Sequence, residues 1–406
     1  MFNIGCNDVE HIEMILTFQR RITMRVLPES KVKALLDLMN STTLGKIPAQ
    51  EPILDCFDLA MDEKMLDYLL AVGTELHTVE ELEALYNSMY QDGRWQETWD
   101  EILLMSFLFP TPDNTKYMMS SFFPGWVELS VSGPLNEKRR AILNKFIEFW
   151  DTLYDMNVPH IRAMSDGASI QSLNQLPARM TSYVSHGSRE ISLNQPLTSE
   201  QQVYTGGEVF RLLERHQDQI AVMNCFCRQH KQMNGGDECN IGIPVEACIS
   251  LGAISRQLVN SGVARHLPYE EAVALMEDFE RKGCVHTAFH YGHNVENEEI
   301  VICNCCNDCC ELYGAYQKGY LSKILVKAYY TPEMIDETRC VGCDKCGKVC
   351  PTTATYYDRE AKKLVFDYEK CVGCGQCVNQ CKFDVRKMVR DERNVFVRSK
   401  EERLPR

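Results

Sequence analysis

Eighteen of the chain's twenty cysteines lie between Cys225 and Cys381, crowded into short-spaced groups, and only Cys6 and Cys56 precede them. In an exported chain such density would read as a disulfide framework. The N-terminus instead carries Asp8 and Glu10 beside Cys6, without the basic-then-apolar plan of an export signal, and no apolar run is long enough to span a bilayer. A cytoplasmic location is therefore expected. In a reducing compartment the clustered thiols read as metal ligands.

The most specific pattern is Cys340-Val-Gly-Cys343-Asp-Lys-Cys346-Gly-Lys-Val-Cys350-Pro351. It recurs as Cys371-Val-Gly-Cys374-Gly-Gln-Cys377-Val-Asn-Gln-Cys381. Each copy is a C-x2-C-x2-C-x3-C run, in which three thiolates wrap one [4Fe–4S] cubane and the fourth ligates the other. The spacing therefore predicts one cluster on Cys340, Cys343, Cys346 and Cys381, and a second on Cys371, Cys374, Cys377 and Cys350. The fourth cysteine of each run is expected at a helix start, and Thr355 to Tyr357 with Leu364 to Phe366 as a hairpin. Gly342 and Gly373 would let the backbone pass close to the sulfides and aim N–H groups at them. Structural zinc favours paired two-cysteine knuckles, which fit these runs poorly. From Arg339 to about Val389 the chain resembles the two-cluster bacterial ferredoxin fold, departing from it at Lys382, where proline is common.

Nine further cysteines form a second group: Cys225, Cys227, Cys239, Cys248, Cys303, Cys305, Cys306, Cys309 and Cys310. They exceed the needs of packing or of one zinc ion. Adjacent pairs such as Cys305-Cys306 do not easily both face one centre. The stretches Asn224 to Gln229, Tyr269 to His286 and Ile302 to Cys310, with the tandem runs behind them, resemble a family of iron–sulfur proteins of anaerobic prokaryotes. That family has a winged-helix-like N-terminal region, C-x-C-R and I-C-N-C-C patches and a two-cluster ferredoxin tail. The resemblance implies one or two additional [4Fe–4S] clusters on the nine cysteines, with structural zinc as the alternative; its patch commonly has cysteine where this chain has Asp308. Arg228 is expected beside a cluster or paired with a carboxylate. His286, His290 and His293 read as hydrogen-bonded structure more readily than as ligands, and Cys6, Cys56 and Cys284 as ordinary thiols.

The fold class expected is α+β, in four stretches. Residues 1–110 read as a helical, winged-helix-like docking region and 111–206 as a mixed linker or scaffold. Residues 207–330 read as a cysteine-rich cluster-binding domain, and 331–406 as a ferredoxin domain with a basic tail. The N-terminal helices are predicted at Pro28 to Asn40, along Phe57 to Leu70, after a Thr78/Glu81 capping box, and over Trp95 to Phe109. A strand is predicted at Val127 to Val131, a helix at Glu137 to Tyr154, and a surface linker over Ser165 to Thr205. Beyond these, helices are predicted at Glu208 to Gln217, Ile249 to Val259 and Tyr269 to Lys282, with a buried strand at Ile220 to Met223.

Charge narrows the function. The chain carries a formal −14, and Phe57 to Ser106 holds twelve acids against Lys64 and Arg94, a net of −10. Such a segment repels a phosphate backbone, so nucleic acid is not the expected partner. No strand–GxGxxG–helix or P-loop context supplies a nucleotide site. The expected function is an electron-transfer subunit or adaptor within a multi-subunit complex, passing single electrons between a donor and a partner redox enzyme or electron carrier. It is expected to be non-catalytic itself. A redox-sensing regulator and an enzyme with an open iron site are the rival readings.

Overall fold

The computed structural model describes residues 26–41, 47–155, 180–182, 206–233, 235–236, 238–290, 298–317 and 325–393. Cys6, His293, the basic tail beyond Arg393 and the 165–205 stretch apart from 180–182 lie outside the described residues.

The N-terminal half begins with helices at Glu29–Asn40, Glu51–Ala60, Glu63–Val72, Val79–Met89 and Trp95–Leu104. The first buries Val32, Leu35, Leu36 and Met39, the face its periodicity predicts. Phe57 to Leu70, predicted as one stripe, is two helices. Met61 is extended, and the Asp62 carboxylate accepts the Met65 N–H to start the second helix. The Thr78/Glu81 capping box is present in both directions. The Trp95 helix stops at Leu104, short of its predicted end. Ser106 turns the chain at a φ of 55°, and Pro110 closes a strand instead of breaking a helix.

Strand β1 (Leu108–Pro110) pairs with β2 (Tyr117–Met119), and His77 bridges Tyr117. Val127–Val131, predicted as a strand, is helical. It continues a turn at Phe122–Trp126 in which Trp126 stacks 5.2 Å from both Phe57 and Phe107. A short apolar run without alternation is ambiguous by periodicity, and this aromatic packing decides it. The long Glu137–Asp155 helix lies against the Glu51–Ala60 helix, so one apolar core runs from Leu27 to Phe149 and takes in Phe226.

A seven-stranded sheet follows. In spatial order it comprises β6 (Ala264–His266), β4 (Ile220–Asn224), β5 (Glu246–Leu251), β8 (Glu299–Cys305), β7 (Val285–His290), β3 (Met180–Ser182) and β9 (Leu325–Val326). All pairings are antiparallel except β3 with β9. Thus the stretch predicted as a surface linker contributes a strand. Ile249 to Leu251, predicted as helix, completes β5, because Gly252 breaks the chain at a φ of 69° before the Ala253–Asn260 helix. Val222, Ile249 and Ile302 pack under the Gly206–Arg215 and Tyr269–Lys282 helices; Met223, Cys248 and Cys303 face the Ala253–Asn260 side. Period-two alternation thus gives one face to the apolar core and the other to sulfur.

In the C-terminal module β10 (Tyr330–Met334) pairs with β13 (Arg386–Arg390), and β11 (Thr355–Asp358) with β12 (Lys363–Phe366). Two short helices, Lys345–Val349 and Gln376–Asn379, pack together between these ribbons. The hairpin predicted from sequence is present, one residue longer on each strand. Among the described residues no helix is long and apolar enough to cross a membrane.

Candidate metal centres

The tandem runs fold as paired loops. Gly342 and Gly373 adopt φ of 67° and 78°, a region that strains side-chain-bearing residues. A Cβ on Gly342 would stand 2.7 Å from the Tyr357 ring, and one on Gly373 would collide with the Tyr330 carbonyl and Arg393. Cys346 and Cys377 sit in the two short helices. The fourth cysteines, expected at helix starts, instead follow helix ends: Cys350 caps Lys345–Val349, and Cys381 comes after the cap Gln380. The helices begin one residue before the third cysteine, so the three-residue gap runs along their second half to the fourth cysteine.

Cys350 leaves its own copy. It packs with Cys371, and its charge bears on Cys371, Cys374 and Cys377. Its sulfur takes the Ala354 N–H at 3.2 Å. Burial pushes the Cys377 thiol up to about 12 and Cys346 up to about 11, with Arg386 opposing in both cases. Arg393 braces the second loop, donating to the Cys371 carbonyl at 2.7 Å and to the Ala328 carbonyl at 2.7 Å.

The nine upstream cysteines separate into two sets. The first is a closed ring of six. Cys225 touches Cys227 and Cys248, Cys248 touches Cys303, Cys303 touches Cys305, Cys305 touches Cys310, and Cys310 returns to Cys227. The Cys305–Cys310 sulfurs are 3.4 Å apart. Alternation supplies much of this ring: Met223 pairs with Cys248 and Ile249 with Ile302, which sets Cys248 beside Cys303 and the same-face Cys305. Cys225 follows the end of β4, and the helix Phe226–Met233 carries Cys227. All six line a cavity of about 110 Å³, which Cys306, Cys309 and Arg228 also reach and which is otherwise walled mainly by apolar side chains such as Phe109, Leu129, Ile254 and Phe289. The second set is Cys239, Cys306 and Cys309, whose sulfurs all lie within 4.8 Å of one another.

Arg228 stands between the two sets. It is 3% exposed, and its Nη2 donates to the Asn304 carbonyl at 2.9 Å and to Cys306 Sγ at 3.7 Å. Burial disfavours its charge, but the surrounding sulfurs of Cys225, Cys306, Cys284 and Cys248 outweigh that and hold its pKa above the ordinary value. Of the two roles expected for it, sulfur is the partner. Its buried Nε finds no acceptor among the described residues. A buried cationic donor left over beside a ring of thiols fits an anionic iron–sulfur group whose sulfides accept it.

Asn304, between two ring cysteines, organises the rest. Its side chain binds His286 at 2.7 Å and the Ala247 carbonyl at 2.7 Å. His286 is therefore hydrogen-bonded structure, and His290 is buried in β7. Cys284 is buried with its thiol toward the Asn304 carbonyl, and Cys56 lies in the N-terminal core. Sequence reasoning passed over Lys231, which pairs with Asp308 at 2.7 Å; its place one helical turn beyond Cys227 was the available signal. It also passed over Val372, for which the sequence offers no signal.

The dicluster module docks on this face of the sheet. Val372 joins Val285, Cys305, Cys310 and Tyr313 in one apolar cluster, with Cys303 and Cys374 packed against it. Gln376 Nε2 donates to the Cys284 carbonyl at 2.6 Å, and Gln317 Nε2 to that of Pro351 at 2.6 Å. The loop around Cys371 to Cys374 thus abuts the Cys305–Cys310 side of the ring.

Comparison with known proteins agrees with the tandem runs. A family model described as a 4Fe-4S dicluster domain matches residues 333–382. No curated protein and no solved structure matches the chain.

Proposed function

With a 4Fe–4S dicluster domain at residues 333–382 of an iron–sulfur protein, we propose that the chain is an electron relay in which a third centre, held by the six-cysteine ring, exchanges electrons with the dicluster module. The observation that carries this reading is the shared packing of Val372 and Cys374 with Cys303, Cys305 and Cys310. That packing sets the second loop of the module directly against the ring. Cysteine-ligated clusters supply one-electron transfer without proton chemistry. The chain's own part is to hold the thiols, exclude water and set the charge around them.

In the dicluster module, Cys340, Cys343, Cys346 and Cys381 hold one cluster, and Cys371, Cys374, Cys377 and Cys350 the other. The place of Cys350 among the second copy's thiols supports this crossover. Cys225, Cys227, Cys248, Cys303, Cys305 and Cys310 are the ligand pool of the third. Arg228 offsets the negative charge of that centre.

The N-terminal unit is the docking element for a partner redox protein. From residue 63 to 119 it runs helix, bridging residue, helix, helix, hairpin, an order that supports the winged-helix-like reading. Its net −10 between Phe57 and Ser106 suits a basic protein surface better than nucleic acid.

The test is Cys305→Ser in the full chain, purified without oxygen and followed by EPR during stepwise reduction. The variant loses one signal and keeps the two dicluster signals. If the wild type has only two distinguishable centres, and Cys305→Ser leaves both unchanged, the ring is no part of a relay.

A further inference from the structure

Cys239, Cys306 and Cys309 differ from the ring in shape. Ring thiols each touch two neighbours around a cavity; these three close on one another within 4.8 Å, with Cys239 and Cys306 sulfurs 3.7 Å apart. A Zn–S bond of about 2.3 Å places the thiolates of a tetrahedral ion about 3.8 Å apart. The ring has a pair as close, Cys305 and Cys310 at 3.4 Å, but among the described residues no three ring sulfurs all lie within 4.8 Å of one another, so the ring does not close on a single ion as the triangle does.

The local backbone is that of metal knuckles. Cys306-Asn307-Asp308-Cys309 is a C-x2-C turn in which the Cys309 N–H points at Cys306 Sγ, 3.3 Å away. The Ile243 and Ile241 N–H groups point at Cys239 Sγ, and Gly242, at a φ of 69°, closes that turn through its N–H to the Cys239 carbonyl at 2.8 Å. Such N–H donors stabilise thiolates bound to a metal. Arg228 and Lys231 flank the triangle and balance its charge. Asp308 brings an oxygen to its edge, 3.4 Å from Cys309 Sγ, held there by Lys231 at 2.7 Å and the Asn240 N–H at 2.9 Å.

We propose that Cys239, Cys306 and Cys309 form a mononuclear zinc site, separate from the clusters, with three thiolates and an oxygen donor at the Asp308 edge. It pins the loop carrying Cys239 to the turn after β8. This inference goes beyond the relay reading and does not depend on it.

The full chain, purified without oxygen from zinc-sufficient medium, is analysed for zinc and iron and by zinc K-edge X-ray absorption. The expected result is about one zinc per chain with three sulfurs at about 2.3 Å and one lighter neighbour. Cys239→Ala, on a half-buried loop, removes the zinc and leaves iron content unchanged. A zinc chelator lowers the wild-type melting temperature and leaves that of Cys239→Ala unmoved. Cys225→Ala lowers iron and keeps zinc. Absence of zinc in the wild type, zinc that persists in Cys239→Ala, or loss of iron in that variant would each overturn the proposal. Failure of the relay reading would show instead in the iron signals, which the zinc measurements do not use.

Discussion

Replacing Gly373 with alanine attacks the second cluster loop without touching a ligand. The residue holds a φ of 78°, and a Cβ there meets the Tyr330 carbonyl oxygen and the Arg393 guanidinium inside contact distance. The carbonyl belongs to β10 and has no rotamer to give, while Arg393 is engaged by the Ala328 and Cys371 carbonyls. The left-handed conformation costs a side-chain-bearing residue about 1–2 kcal/mol, and overpacking adds about 1–3 kcal/mol. A total of about 2–5 kcal/mol raises local opening of the loop about 30-fold or more. Anaerobic iron release to a strong chelator reads that opening. Gly373→Ala is expected to release the second cluster's iron at least about 30-fold faster than wild type, and the remaining iron at an unchanged rate. Release at the wild-type rate would refute the argument that this glycine is required by close backbone approach.

Other expectations follow from single contacts. Asp62→Ala removes the cap that divides two N-terminal helices and should cost about 1 kcal/mol, read as a lower urea midpoint by circular dichroism. His216, largely buried, has its pKa lowered from 6.5 by burial. The folded state therefore favours the neutral ring, giving stability that is present above pH 6.5 and lost as pH falls through the lowered folded value. His216→Gln should flatten that acid-side loss in urea titrations at several pH values, and an unchanged pH slope would contradict it. Duplex DNA at moderate salt should not shift in a gel with the wild-type chain, whereas a salt-sensitive shift would favour the regulator reading.

Sequence made some parts of this protein legible and hid others for physical reasons. The tandem cysteine runs, the capping box at Thr78 and the span of the Tyr269–Lys282 helix are local: the residues that decide them lie within a few positions. The helix break at Asp62 is equally local and was masked by apolar periodicity on either side. Val127–Val131 and Ile249–Leu251 were misread because short apolar runs fit either strand or helix until tertiary neighbours decide. The upstream cysteines could be counted but not sorted. Their division into a ring and a triangle depends on the register of β4, β5 and β8, which brings residues from three separate patches together. The adjacency expected to confuse Cys305 and Cys306 is resolved there, since one joins the ring and its neighbour the triangle.

The most direct test of the relay is iron and acid-labile sulfide content with EPR on protein purified without oxygen. The account predicts about twelve or more irons per chain and a third signal that is distinguishable on stepwise reduction. About eight irons with only two centres would leave a dicluster domain on a scaffold that carries no electrons, and would contradict it.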